Sequence, residues 1–285
     1  MKTQSVKPKA QSLKANILEN RQIAQRIYRM SLLAPAIAKS AKPGQFIMVH
    51  CGSQFKPLLR RPLSIHNAYG KNIEILYEVV GEATEILAQK KQGDVLDIIG
   101  PSGNGFDLKA GHNRHGVKIL IAGGIGVAPL VFLAEKLMER KAQSAKRKVL
   151  VLIGAKTKKH IFCEKEFKKS GCEVKIATDD GSKGFKGFVS NLLVESFSNV
   201  NPFASRGIGC QVSAIYACGP RPMLQKIGLI SNDYKIPAQI SMEEHMSCGF
   251  GACLGCVINT KHGYKRVCKE GPVFDARELE GVCNI

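Results

Sequence analysis

Lys118-Ile119-Leu120-Ile121-Ala122-Gly123-Gly124-Ile125-Gly126-Val127-Ala128-Pro129-Leu130 is the stretch that decides the fold. It reads as a buried β-strand, a glycine turn, and a helical pattern that continues through Arg140. Strand, glycine turn and helix together are the setting in which a glycine motif gains meaning. Gly123, Gly124 and Gly126 let backbone approach a pyrophosphate, and the helix start offers free N–H groups and a positive dipole end. The motif closes on Pro129 rather than on a glycine, so it departs from the dinucleotide fingerprint, and a purely structural strand-to-helix turn competes as a reading. Proline is acceptable in a first helical turn. The alternation continues downstream. Strands are expected at 149–154, 173–177 and 213–217, and helices at 163–169, 188–197 and 221–231. Alternating strands and helices predict a doubly wound parallel sheet. The segment 199–211 gives no assignable pattern. Cys218-Gly219-Pro220 ends the last of these strands, on the same crevice as the glycine turn. An inert buried thiol is an equal reading for Cys218.

Upstream, residues 12–100 read as short strands with turns, at 15–19, 25–33, 45–50, 62–67, 73–80 and 95–99, with one short helix at 83–91. Period-2 alternation over 73–80 and turns such as Pro43-Gly44 predict an antiparallel barrel. Within it lies Leu59-Arg60-Arg61-Pro62-Leu63-Ser64-Ile65. An arginine can pair a phosphate in a planar fork. The strand backbone and the Ser64 hydroxyl can bond the edge of a flavin ring. Alone this is a weak signal. A polar boundary falls at 108–116.

Downstream, Cys248-Gly249-Phe250-Gly251-Ala252-Cys253-Leu254-Gly255-Cys256 is followed by Cys268 after eleven residues. Four thiolates at C-x4-C-x2-C-x11-C match the ligand spacing of a plant-type [2Fe–2S] cluster. Structural zinc is the alternative, but it usually shows two C-x2-C pairs, and only one is present. The intervening glycines permit positive φ and N–H groups aimed at sulfur. His245 is near, but four thiolates already complete the site. A small hairpin is expected at 257–259 and 264–267, after a strand at 236–243.

The whole chain has 285 residues, enough for about two domains and a small third. Domains are expected at 12–110 (flavin barrel), 111–235 (nicotinamide half) and 236–285 (cluster). The remaining cysteines, Cys51, Cys163, Cys172, Cys210, Cys218 and Cys283, show no framework spacing, and the start lacks an apolar secretory segment. This predicts reduced thiols and a cytoplasmic location. The longest uncharged apolar run, 119–134, has 16 residues and is broken by glycines and Pro129, too short for a membrane span. Lysine plus arginine exceeds aspartate plus glutamate by 42 − 23 = 19. The lysines are dispersed, with no run of five like charges and no interleaved stacking platform, which argues against nucleic-acid binding. A solvated basic face and attraction of an anionic cofactor or docking partner both remain open.

The motif around Arg61 to Ser64, the stretch 100–106, the middle section Thr178–Val189 and the Cys-Gly-Pro turn resemble the ferredoxin–NADP reductase superfamily. The tail, with Glu244–Cys256 and Tyr264–Phe274, resembles one family more closely: the electron-transfer subunit of class 1B dihydroorotate dehydrogenase. That resemblance spans about 12–279. It implies FAD held by Arg61, Pro62, Leu63, Ser64, by Leu76, Tyr77, Glu78 and by Ala83, Thr84. It implies NAD at Gly123, Gly124, Gly126, Cys218, Gly219 and Pro220. It implies a [2Fe–2S] cluster on Cys248, Cys253, Cys256 and Cys268. It also implies an FMN-containing catalytic partner subunit in a heterotetramer, two plus two, in pyrimidine synthesis. Electrons would pass from that FMN through cluster and FAD to NAD+, with no acid–base catalytic residue in this chain. Ala83 stands where the family pattern has glycine. Lys156, Lys158 and Lys159 follow the second strand where an acidic residue would mark NAD, so the choice of NAD over NADP rests on the resemblance. A flavin/iron–sulfur reductase subunit of a sulfite reductase, a hydrogenase or a ferredoxin-dependent transhydrogenase is the alternative with the same fold. A nucleic-acid-binding redox sensor and a zinc-stapled module are more distant ones.

Overall fold

The structure is a computed structural model that describes residues 11–52, 56–111, 116–139, 148–200 and 212–280. Six strands come first: β1 (Gln11–Ala24), β2 (Ile27–Leu33), β3 (Phe46–His50), β4 (Arg61–Tyr69), β5 (Asn72–Glu78) and β6 (Val95–Ser102). They close into a barrel in the order β1-β2-β5-β4-β3-β6, with β6 returning antiparallel to β1. Closure removes the edges that a sheet of short strands would otherwise expose. The alternation read over 73–80 is real: Ile73, Ile75 and Tyr77 point into the barrel core, each 1 % exposed or less. Helix α2 (Glu82–Gln89) occupies the expected place, and its Ala83 and Leu87 pack on that core. Thr84 Oγ1 accepts the Gly81 and Val80 N–H groups at 3.2 and 2.9 Å and so caps it.

Two features depart from the expectation. β1 runs fourteen residues rather than five, because it pairs on one side with β2 and on the other with β6. Helix α1 (Pro35–Ser40) was not foreseen; it starts on a proline in its first turn and buries only Ile37, too short a stretch to show periodicity.

A seven-stranded sheet follows, in the order β10-β9-β8-β7-β11-β12-β15. Its members are β7 (Val117–Gly123), β8 (Val149–Ala155), β9 (Glu173–Thr178), β10 (Phe185–Lys186), β11 (Val212–Cys218), β12 (Ala238–Ser241) and β15 (Val273–Asp275). Strands β7, β8, β9, β11 and β12 are parallel. Helices α3 (Val127–Glu139), α4 (Glu164–Lys169), α5 (Val189–Val200) and α6 (Arg221–Asp233) alternate with them. Ile119, Leu120 and Ile121 on central β7 are all 0 % exposed, as a strand covered on both faces must be. Each such side chain contributes about 1.5–3 kcal/mol relative to an exposed one. Of the segment 199–211 that gave no pattern, residues 199 and 200 end α5, and 201–211, like the helix end at Arg140, lie outside the described residues.

The tail does not stand apart from this sheet. β12 pairs parallel with β11, and β15 pairs antiparallel with β12, so two strands from the stretch expected as a separate unit (236–285) extend the nucleotide sheet. Between them a hairpin, β13 (Val257–Thr260) and β14 (Gly263–Arg266), carries the chain around the cysteine loop. One apolar cluster runs from Phe46 and Met48 of the barrel, through Ile215 and Ile240 of the sheet, to Cys256, Val267 and Cys268.

Candidate functional site

In the parallel sheet the strand order reverses between β7 and β11, and ligands bind outside the carboxyl ends of strands at such a point. Both glycine-bearing turns sit there. They border a cavity of about 440 Å³ formed by Gly123, Gly124, Gly126, Gly219, Pro220 and residues 242–244. The glycines have different physical roles. A Cβ on Gly126 would lie 2.3 Å from the Cys218 carbonyl oxygen, and one on Gly123 would lie 2.7 Å from Pro220. These two let the β7–α3 and β11–α6 turns touch. Gly124 has φ +54° and nothing within 4 Å of its Cβ position, so its backbone is the part open to a ligand. Cys218 is 1 % exposed, behind the cavity wall, and burial first, then Glu243, pushes its thiol up. The buried-thiol reading describes its side chain, while Gly219 and Pro220 face the cavity.

A second cavity, of about 460 Å³, lies on the barrel side. Arg61, Pro62, Ala83 and Thr84 border it, with Gly81 and the segment Glu244–Ser247. The two arginines at the start of β4 divide the work. Arg60 pairs with Asp97 at 2.8 Å and also donates to its carbonyl. Arg61 donates to the Leu59 carbonyl at 2.8 Å and borders the cavity. Leu63 and Ser64 continue along β4, with Ser64 opposite Phe46. Leu76 and Tyr77 are 2 % and 1 % exposed, and the Tyr77 hydroxyl is taken by Asn20; their side chains belong to the core, so a ligand meets only their backbone. Glu78 borders the nicotinamide-side cavity instead. Ala83 is 4 % exposed and packed in the barrel, and Gly81 beside it supplies the open backbone.

Sequence reasoning took Glu244, His245, Met246 and Ser247 only as part of the tail motif, with His245 as a non-ligand, and gave them no place in a cavity wall. Their signal was position: they lead directly into Cys248. Glu244 borders both cavities, and Arg221, on the first turn of α6, holds it at 2.9 Å.

The four cysteines are brought together as two pairs. Cys248 and Cys253 lie in the loop, while Cys256 and Cys268 flank the β13–β14 hairpin, where Val267 N–H donates to the Cys256 carbonyl at 2.9 Å. Backbone N–H groups are aimed at sulfur: Ala252 to Cys248 at 3.3 Å, Gly255 to Cys253 at 3.4 Å and Cys268 to Cys256 at 3.4 Å. The loop turns through positive φ at Gly249, Gly251 and Leu254. Gly249 is pressed on Met48 of the barrel, where a Cβ would come within 2.3 Å. Burial raises the Cys248 thiol, but backbone N–H bonds from Cys253 and Phe250 outweigh it and bring it down to about 6. Burial and Cys256 hold Cys268 up, at about 12. Cys256 and Cys268 are buried, whereas Cys253 is exposed, flanked by exposed Phe250 and Leu254. The donor set and the N–H cradle fit a [2Fe–2S] cluster.

Barrel, doubly wound sheet and thiolate loop define an oxidoreductase of the reductase type with an iron–sulfur module. The family model for the oxidoreductase NAD-binding domain matches residues 120–228. The NADH-dependent reduced ferredoxin–NADP oxidoreductase superposes with TM-score 0.76 at 26 % identity, covering 93 % of this chain and 89 % of that one. The flavohemoglobin of Malassezia yamatoensis shares the fold at TM-score 0.61 and 20 % identity, over 80 % of this chain and 60 % of its own. The family model for the iron–sulfur cluster binding domain of dihydroorotate dehydrogenase B matches residues 243–280. The dihydroorotate dehydrogenase B (NAD(+)) electron transfer subunit of Desulforamulus reducens is 42 % identical over 93 % of this chain and 97 % of its own. That of Caldanaerobacter subterraneus subsp. tengcongensis is 39 % identical over 94 % and 98 %. The chain belongs to the family of dihydroorotate dehydrogenase B electron transfer subunits.

Proposed function

We propose that this chain passes electrons between a dihydroorotate-oxidising catalytic subunit and NAD+, for pyrimidine synthesis. The observation that carries the reading is the continuity of the sites. Glu244 borders both cavities, and Ser247, on the wall of the barrel-side cavity, is followed directly by Cys248. Family membership supplies the substrates. When bound, the cluster supplies a one-electron relay and the flavin an exchange between one- and two-electron transfer.

The residues of the chain bind and orient. Arg61 would pair the FAD diphosphate, the backbone of Pro62, Leu63 and Ser64 would hold the flavin, and Leu76, Tyr77 and Glu78 would contribute main-chain groups. Gly81, Ala83 and Thr84 start the helix beside the phosphate. Gly124 offers backbone to the NAD diphosphate, Gly123 and Gly126 shape the turn, and Cys218, Gly219 and Pro220 close the crevice. Cys248, Cys253, Cys256 and Cys268 would hold the cluster. The exposed Cys253, with exposed Phe250 and Leu254, marks the face where an FMN-containing partner would dock in a two-plus-two heterotetramer. We take 12–110, 111–235 and 236–285 as the flavin, nicotinamide and cluster units, the last lending two strands to the second. No described helix is long and apolar enough to cross a membrane, and a cytoplasmic location accords with eight free cysteines among the described residues.

The test is one preparation. The purified chain should carry FAD, iron and acid-labile sulfide, and should reduce a dye with NADH. Co-expressed with its partner, it should reduce NAD+ on addition of dihydroorotate. A colourless, iron-free chain prepared without air would sink the reading.

A further inference from the structure

The strand that carries Arg61 to Ser64 and the helix that follows the Gly123–Gly126 turn are tied by a side chain with no part in either cavity. His66 is 0 % exposed. It falls at a register break in the β4–β5 ladder, between Ile65 and Asn67. Such a bulge re-aims a side chain, and this one sends the imidazole out of the barrel towards the α/β half. Its Nδ1 lies 2.9 Å from the Ala128 carbonyl, in the first turn of α3. Its Nε2 lies 3.1 Å from Glu166 Oε2 on α4. Carbonyl and carboxylate only accept, so both contacts are hydrogen bonds when each ring nitrogen carries its proton. The other oxygen of Glu166 takes Arg29 of β2. Burial would raise the Glu166 carboxyl, but the bonds from His66 and Arg29 hold it down, at about 2. Next to it, asparagine 67 extends the seam: Asn67 Nδ2 donates to Glu135 of α3 at 2.9 Å. Cys163 completes the cluster, its donor atom within 4.8 Å of those of His66 and Glu166. A metal ion is a poor occupant, because Arg29 already supplies a cation to the one carboxylate.

We propose that His66, held by Glu166, is a positioning residue that fixes the flavin strand against the nicotinamide turn and so sets the distance and angle of hydride transfer. It stands two residues after Ser64, and Ala128 stands two residues after Gly126. The bond between them is a direct polar link between the two cofactor-bearing segments, closer to both turns than the Asn67–Glu135 bond. The proposal rests on the functional reading above. Misplacement of reacting groups by as little as 1 Å costs up to about a hundredfold in rate, so a link at this point acts on the rate more than on affinity.

The experiment uses the full chain loaded with FAD and cluster. NADH is mixed rapidly with it, and loss of oxidised-flavin absorbance is followed as NADH is raised. His66→Gln is expected to keep its flavin and cluster spectrum and an NADH Kd within about twofold, while the rate at saturating NADH falls about tenfold. Glu166→Gln, which keeps the size but replaces one of the two accepting oxygens with an N–H donor facing His66 or Arg29, slows the same step, and the double variant is no slower than the slower single variant, since the two act as a unit. Variants that lose melting temperature but react at the wild-type rate at saturating NADH would assign His66 a purely structural role and overturn the proposal alone. A wild-type flavin that NADH does not reduce would overturn the functional reading, and this inference with it.

Discussion

Gly126 and Gly124 differ by two positions and by what surrounds them. Alanine at Gly126 would place a methyl 2.3 Å from a backbone oxygen and 2.5 Å from its carbon. Backbone cannot swing aside like a side-chain tip, so the β11–α6 turn must move, at about 1–3 kcal/mol. Gly126→Ala is therefore expected to lower the melting temperature by several degrees and to weaken NADH binding with it. Gly124→Ala meets no atom but must hold φ +54°, a strain of about 1–2 kcal/mol. It should melt closer to wild type, yet bind NADH more weakly, because its methyl occupies the ligand's approach. Thermal melts and NADH titrations of the pair check this; equal melting losses with unchanged affinity would refute it. The glycine motif was legible in the sequence, but the division of labour was not. The neighbour of Gly126 is the Cys218 carbonyl, which only the parallel pairing of β7 with β11 brings near. The gathering of the four cysteines was legible because they are local, within one loop and its hairpin. Glu244–Ser247 were not, because a wall is made by the surface that faces it.

At the scale of elements, helix α4 is a short helix with one consequential side chain. Glu166 is paired to Arg29 and His66 in a seam that is partly buried. Its carboxyl titrates near 2 when folded and near 4.3 when unfolded. A depressed pKa contributes stability that is fully present above the unfolded value and is lost as pH falls from about 4.3 towards 2. The contribution is at most about 3 kcal/mol, and less after solvent screening of a side chain that is about a third exposed. Glu166→Gln should flatten the acid limb of stability against pH over that window. Glu166→Ala should cost about 2 kcal/mol or more at neutral pH, since Arg29 and His66 are left facing each other without the carboxylate. Urea melts at several pH values measure both, and an acid limb unchanged by Glu166→Gln would contradict the assignment. The sequence showed α4 as a helix but offered no reason for Glu166, because its partners come from β2 and β4. The barrel strands, by contrast, announced themselves through alternation, since each buries one face. Helix α1 and the two-residue β10 are too short to carry a period, and β15 is recognised as a strand only through its pairing with β12.

For the whole molecule, the consequence lies in how the cluster segment is built in. The linear reading places a boundary near 235, because the strand expected at 236–243 leads into the cysteine loop. The chain instead sends β12 into the sheet beside β11, leaves to form the loop and hairpin, and returns as β15 on β12. Asn104, at the end of the barrel, bonds the Glu270 carbonyl at 2.7 Å, so the returning segment is fastened to the barrel as well. A chain cut after residue 235 would uncover the β11 edge and the apolar surface that Ile240, Met242 and Phe274 now cover. An open edge above exposed apolar surface associates with other chains. The truncated chain is thus expected to aggregate or to bind neither FAD nor NADH, although it retains most residues of both cavities. For the same reason the intact protein should unfold its sheet and cluster segment in one transition. A group bound only by the folded state adds stability by mass action, so removing iron with a chelator under reducing conditions should shift that whole transition downward rather than melt the tail alone. Calorimetry of the iron-loaded and iron-free chains decides the matter. A separate low-temperature transition confined to the tail, with the sheet melting unchanged, would mean that the cluster segment folds on its own and that β12 and β15 contribute little to the sheet they join.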